Sequence, residues 1–114
     1  MGRYIVLYSA PISVKQRFAQ ATPEEAMAGM HMWIDWAKKL GKSLLDPGRP
    51  FGRAVKVTAA GTTSSDSPIV GMSILEAPSM DEALTMVKDH HHLRWAPDCE
   101  ITLLEEMPIP ELQG

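Results

Sequence analysis

The chain has 114 residues, a formal net charge of -3, an apolar fraction of 45% and a single cysteine, which suits one globular domain spanning residues 1–114 around one core. Lys and Arg are scattered rather than clustered, so the basic footprint of a nucleic-acid binder is missing, and no apolar run approaches the length of a bilayer span. Cys99 cannot form an internal disulfide; it reads as a small buried thiol in a reducing, cytoplasmic compartment.

Residues 3 to 9, RYIVLYS, are aromatic and β-branched and predict a strand ended by Pro11. Tyr4, Val6 and Tyr8 alternate with Ile5 and Leu7, so both faces of this strand call for cover. Residues 12 to 21 read as a variable polar link. Thr22 then stands as an N-cap, with Pro23 at the first helical position and Glu25 completing a capping box. The helix it opens runs to about Leu40 and stops at Gly41. Its inward stripe is Ala26, Met30, Trp33, Ala37 and Leu40, flanked by Met27 and Ile34, with the methionines serving as packing residues.

Beyond Gly41, residues 43 to 45 predict a short extended piece that enters DPGRPFG, where two prolines and two glycines oppose regular structure. RAVKVTA alternates Val55 and Val57 with Lys56 and Thr58, as a half-buried strand does. GTTSSDSP reads as a polar loop that closes a hairpin onto residues 69 to 76. Residues 69 to 110 form the clearest unit: an apolar strand, a helix, and a last strand. Ser79 and Glu82 have capping-box spacing, and Ala83, Met86 and Val87 make an apolar stripe at helical period. In the closing strand Ile101 and Leu103 alternate with Glu100 and Thr102 before prolines end it.

The order strand, helix, strand, strand, helix, strand predicts an α+β fold, a ferredoxin-like βαββαβ subunit with two helices on one face of an antiparallel sheet. Because the strands at residues 4–8 and 69–75 offer apolar groups to both faces, something must cover the second face. The same sheet of another copy does so most cheaply, giving a homodimer with an isologous interface, to which the C-terminal MPIPEL would contribute.

The N-terminal YIVLYSAP, the helix H-x-W-x-x-W-A-K-K-L-G leading into LLDPGRPFG, the block IVGMSILEAPSMDEALTMVKDHHHL and the closing CEITLLEEMPIP together resemble a YCII-related protein, of the group that includes the DGPF-domain proteins. The resemblance covers nearly the whole chain and is most specific from Gly71 to Leu93. His91 stands where proline is common in the family, and DPGRPFG appears earlier in the chain in place of a DGPF string. The resemblance implies a dimeric α+β barrel of ferredoxin-like subunits, and members suspected to be enzymes on the strength of a His and Asp pair. It also implies an association of some relatives with alternative sigma factors.

His31 with Asp46 is the constellation the resemblance singles out, since the family's suspected histidine stands ten residues before the helix-ending glycine, as His31 does before Gly41. A carboxylate beside an imidazole holds one tautomer and raises its proton affinity, which suits a general acid or base. The plainer alternative is a solvent-facing histidine and a turn-forming aspartate before Pro47. Tyr8, Ser9, Trp33, Arg49 and His92 are further pocket candidates, Arg49 as a guanidinium able to hold a carboxylate. Consecutive His90, His91 and His92 on a helix would point about 100° apart and have no zinc spacing around them, so no metal is implied; the helix macrodipole accounts for them. Glycines form no nucleotide-binding pattern, and no cofactor is implied. Two functions stay open: a cofactor-independent enzyme acting on a small organic molecule, and a non-catalytic ligand-binding or regulatory dimer.

Overall fold

The computed structural model describes residues 1–108, without the side chains of Lys15, Arg17 and Phe18. The protein is of the α+β class. Strands β1 (Gly2–Ser9), β2 (Leu44–Pro50), β5 (Ile69–Ala77) and β6 (Glu100–Glu105) form one antiparallel sheet in the order β2-β5-β1-β6. Tyr4 of β1 lies opposite Leu75, Ile5 opposite both Ile74 and Leu104, and Val6 opposite Leu103. Helices α1 (Ile12–Phe18), α2 (Pro23–Leu40) and α3 (Met80–Val87) complete the frame, and β3 (Ala54–Thr58) pairs with β4 (Gly61–Ser65) in a separate hairpin. The expected end of the chain, MPIPEL, lies largely outside the described residues. No helix is long and apolar enough to cross a membrane among the described residues.

The period-two pattern of the inner strands decides which side chains form the core. Tyr4, Val6 and Tyr8 of β1 pack with Leu75 and Ala77 of β5, Ala83 and Val87 of α3, and Trp36 of α2, all buried. Ile101 and Leu103 of β6 join from the edge, so α2 and α3 cover the same face of the sheet. On the opposite face Ile5, Leu7, Met72 and Ile74 are half-buried and Leu104 is exposed. Cys99 is buried in a smaller cluster with Ala10 and Val14.

The helix starts behave as their capping residues dictate. Thr22 accepts the Glu25 amide and Glu25 reaches back to the Thr22 amide, each at 3.2 Å. Ser79 accepts the Glu82 amide at 3.2 Å, which satisfies one of the unpaired N–H groups opening α3.

Several expectations are corrected. The polar link at residues 12–21 contains helix α1, which starts where the Val14 amide donates to the Pro11 carbonyl at 3.0 Å and buries Val14 against Ala10. DPGRP continues strand β2 rather than breaking it, because β2 is an edge strand and the irregularity in its register between Asp46 and Arg49 absorbs Pro47 and Gly48. Gly48 has φ 90°, and a Cβ there would collide with the Met72 carbonyl, so this close approach requires glycine. RAVKVTA does not pair with β5; its neighbour is GTTSS, joined through a two-residue turn at Ala59 and Ala60. The Thr58 hydroxyl accepts the Ala60 amide and donates to the Gly61 carbonyl, closing that turn. Nearby β-branched Thr62 and Thr63 gave the polar segment its strand preference. Val55 and Val57 are accordingly 56% and 74% exposed rather than half-buried.

Helix α2 is rotated from the expected stripe. Trp36 is the buried residue, because its indole N–H donates to the Met86 carbonyl at 3.1 Å, while Ala26, Met27 and Met30 are exposed. Only the second half of α2 packs on the core. Under its first half a cleft remains.

Candidate functional site

Four regular elements and a 3-10 turn frame that cleft, whose volume is about 540 Å³. One wall is the face of α2 carrying Gly29, Met30 and Trp33; the floor is Tyr8 of β1 with Val70 and Gly71 of β5. The far wall is the end of β2, Arg49 and Pro50, with Phe51 beyond it. At the mouth stand His91, His92, Arg94 and Trp95.

Hydrogen bonds fix the floor to the walls. The Tyr8 hydroxyl meets Ser73 Oγ at 2.9 Å, and Ser73 Oγ donates to the Pro47 carbonyl at 2.8 Å, so Tyr8 is the donor in the first contact. The Trp33 indole N–H donates to the same carbonyl at 3.0 Å. One bent stretch of β2 therefore anchors α2 and the sheet together. Burial pushes the Tyr8 phenol well above its ordinary range, offset only in part by Ser73, so it stays a neutral donor.

A short 3-10 turn, residues His91–Arg94, supplies the mouth. The three histidines do not lie on α3, which ends at Val87, and its macrodipole does not explain them. His90 is extended, and its Nδ1 accepts the backbone N–H of His92 at 3.0 Å, capping the new turn. Its ring is buried edge-on against Trp36, with centroids 4.5 Å apart, and stacked on His91 at 4.2 Å. Burial, then the neighbouring His91, His92 and Arg94 charges, pushes His90 down to about 3. Nε2 of His92 donates to the Ser9 carbonyl at 2.8 Å. Burial lowers the proton affinity of that ring, outweighing the Ser9 and Glu100 backbone contacts that raise it.

His91 differs from both. It lines the cleft, its ring meets the Trp33 ring in a T-shaped contact with centroids 5.6 Å apart, and neither of its ring nitrogens is hydrogen-bonded among the described residues. Burial, followed by the His92 and Arg94 charges, lowers its proton affinity. A neutral imidazole with an open lone pair facing an apolar cleft is equipped to accept a proton or a hydrogen bond.

Of the pocket residues expected from sequence, Tyr8, Trp33, Arg49 and His92 line the cleft; Ser9 does not, and serves it through the carbonyl that holds His92. His31 and Asp46 are not brought together. His31 is exposed on α2 and outside the cleft lining, while the Asp46 carboxylate accepts the Gly48 amide at 2.8 Å and grips Arg49 with both oxygens, at 3.0 and 3.2 Å. Those contacts, the Gly48 amide first and Arg49 next, lower the Asp46 carboxyl below its usual range. The residues missed were His91 and Arg94. A signal existed in the D-H-H-H-L-R-W string, where three rings precede a tryptophan, but continuing α3 through it hid which ring turns inward. Among the described residues no group of three or more His, Cys, Asp or Glu side chains is placed to hold a metal ion.

Compared with protein-family models and with curated proteins, the sequence matches none.

Proposed function

We propose that this chain is a YCII-related-like subunit of a dimeric α+β barrel, and that its cleft receives a small organic molecule and moves a proton on it. The single observation that carries the reading is the cleft beneath the first half of α2, apolar over most of its wall and bordered by His91, whose ring nitrogens have no hydrogen-bond partner among the described residues. Its volume of about 540 Å³ is that of a site for a molecule of metabolite or drug size. In this role His91 withdraws a proton from the bound molecule and returns it, while Tyr8, tied to Ser73 and Pro47, shapes the floor.

The ferredoxin-like subunit and the dimer belong to the same proposal. The strand order, with β1 and β5 central, and α2 with α3 on one face agree with it. The row Ile5, Leu7, Met72, Ile74 and Leu104 on the other face is what a second copy would cover. In this reading the protein acts inside the cell, in line with its lone cysteine.

The second reading, a non-catalytic binding or regulatory dimer, is favoured by one observation: Tyr8, Ser73, Trp33 and His92 spend their hydrogen bonds on the protein. A screen of small organic molecules for turnover and for binding separates the two. Turnover lost in His91→Gln with binding kept supports the enzyme; saturable binding without turnover by any compound bound supports the binder.

A further inference from the structure

Resting on the reading of the cleft as a small-molecule site, we infer that its ligand is an amphipathic organic anion, with an aromatic or apolar body along α2 and an acidic head group on Arg94. Among the described residues the lining contains no Asp or Glu, although the chain as a whole has 14 acidic residues against 11 basic ones. It does contain two guanidinium groups. That of Arg49 is already neutralised by both oxygens of Asp46. That of Arg94 has no ion pair or hydrogen bond among the described residues.

Arg94 stands at the rim between the cleft and a shallower groove bordered by Asp35, Lys39 and Asp89. Neither carboxylate of that groove is within ion-pair distance of it. A ligand that fills the cleft removes water from this guanidinium, which is costly unless the ligand brings an anion to pair with it. A neutral hydrocarbon would incur that cost unpaired, and a cation would add repulsion. The body of the ligand is set by the two walls, where Met30 on α2 and Phe51 beyond β2 remain 56% and 42% exposed in the same lining as Trp33. Large apolar side chains left open in a concave wall favour an apolar or aromatic partner.

The head group has a second consequence. An anion placed on Arg94 lies near His91 and His92, and the positive charge of Arg94 is one of the causes that hold His91 neutral. Occupancy partly cancels that charge, so the bound state raises the proton affinity of His91.

The test uses two fluorescent probes of nearly the same ring system, anilinonaphthalene sulfonate, which has an anionic head, and N-phenylnaphthylamine, which has none. Both are titrated into the full chain and into Arg94→Gln and Phe51→Ala, each variant first shown to unfold at the wild-type midpoint. The expected result is saturable sulfonate binding, weakened about tenfold or more by Arg94→Gln, with the neutral probe changed less than about twofold by that substitution. Phe51→Ala should weaken both. Equal effects of Arg94→Gln on the two probes, or none on either, overturn the anion while leaving the cleft as a small-molecule site. Sulfonate binding that ignores both substitutions places the probe elsewhere and also overturns the inference. If neither probe binds, the cleft reading falls and the inference with it.

Discussion

His90 accepts the backbone N–H of His92 through Nδ1, at 3.0 Å, which leaves the proton of its neutral ring on Nε2, a buried atom with no hydrogen-bond partner among the described residues. The ring thus works as an acceptor cap and as a packing surface between Trp36 and His91. A second proton would destroy the cap and place a charge in the core.

The sign of the pH dependence follows. His90 is pushed down to about 3 in the folded chain, while an unfolded histidine titrates near ~6.5. Between those values the unfolded chain binds the proton and the folded chain does not, so this contribution is fully present above about pH 6.5 and is lost as pH falls towards 3. The slope is at most ~1.4 kcal/mol per pH unit for one such group, and His91 and His92, also lowered, add in the same direction. Denaturant unfolding from pH 7 to pH 4 measures it; His90→Asn, whose amide oxygen can still accept the His92 N–H, should flatten the curve. An unchanged slope would show that His90 is protonated in the folded state.

Loss of strand β2's bend should be costly. Gly48→Ala forces a side chain into φ 90° against the Met72 carbonyl, so a loss of at least ~2 kcal/mol is expected. Because the neighbouring Pro47 carbonyl holds both Trp33 and Ser73, near-ultraviolet circular dichroism of the tryptophans should change with it. A fully stable variant with an unaltered spectrum would contradict the described path of β2.

Helix capping gives a smaller effect. Thr22→Ala and Ser79→Ala each remove an oxygen that accepts a helix N–H, at an expected cost of ~1 kcal/mol in chemical denaturation. The Ser79 variant should be the more damaging to the fold, since α3 buries Ala83 and Val87 in the main core whereas the start of α2 is exposed. Equal unfolding midpoints for both variants and wild type would contradict these caps.

These contrasts show why part of the fold is legible in the sequence and part is not. Thr22, Glu25 and Ser79 announce helix starts by local chemistry, β1 and β5 announce themselves by aromatic and β-branched or apolar runs with both alternating sets apolar, and β6 by alternation of Ile101 and Leu103 with polar neighbours. Strand β2 is hidden because its edge position and its contacts from Ser73 and Trp33, neither near in sequence, are what allow a proline and a left-handed glycine inside it. The period of the helix alone centres the inward face of α2 on Trp33; the Met86 carbonyl, fifty residues away, turns Trp36 inward instead. For the site, the apolar wall at Trp33 and the floor at Tyr8 are legible, whereas His91 faces the cleft only because α3 ends at Val87 and His90 caps a separate 3-10 turn. Tertiary contact, not local pattern, places that ring.

The proposed dimer can be tested with two lysines one strand apart. Ile74 lies on the face away from the helices and Val6 is wholly buried in the core. Ile74→Lys should therefore give a folded monomer in sedimentation at micromolar concentration, and wild type should sediment as a dimer. Val6→Lys should fail to fold, since it buries an unpaired charge. A wild-type monomer, or a dimer indifferent to Ile74→Lys, would remove the sheet face as the interface.

The proton-transfer role of His91 is tested by a turnover assay on whichever compound the screen yields. His91→Gln keeps the size of the ring and loses its basicity, so turnover should fall by about two orders of magnitude or more with little change in binding. His31→Ala, altering an exposed position outside the cleft, should turn over the same compound at the wild-type rate. The pH profile supplies a separate readout. A base must be neutral to act, and burial with the His92 and Arg94 charges lowers His91, so activity of the free enzyme should persist below the ordinary imidazole midpoint of ~6.5 before it declines. Arg94→Gln removes one of those charges and should shift the acidic limb towards higher pH. An acidic limb unmoved by Arg94→Gln, together with full activity in His91→Gln, would take His91 out of the chemistry, and loss of turnover in His31→Ala instead would return the proton transfer to α2.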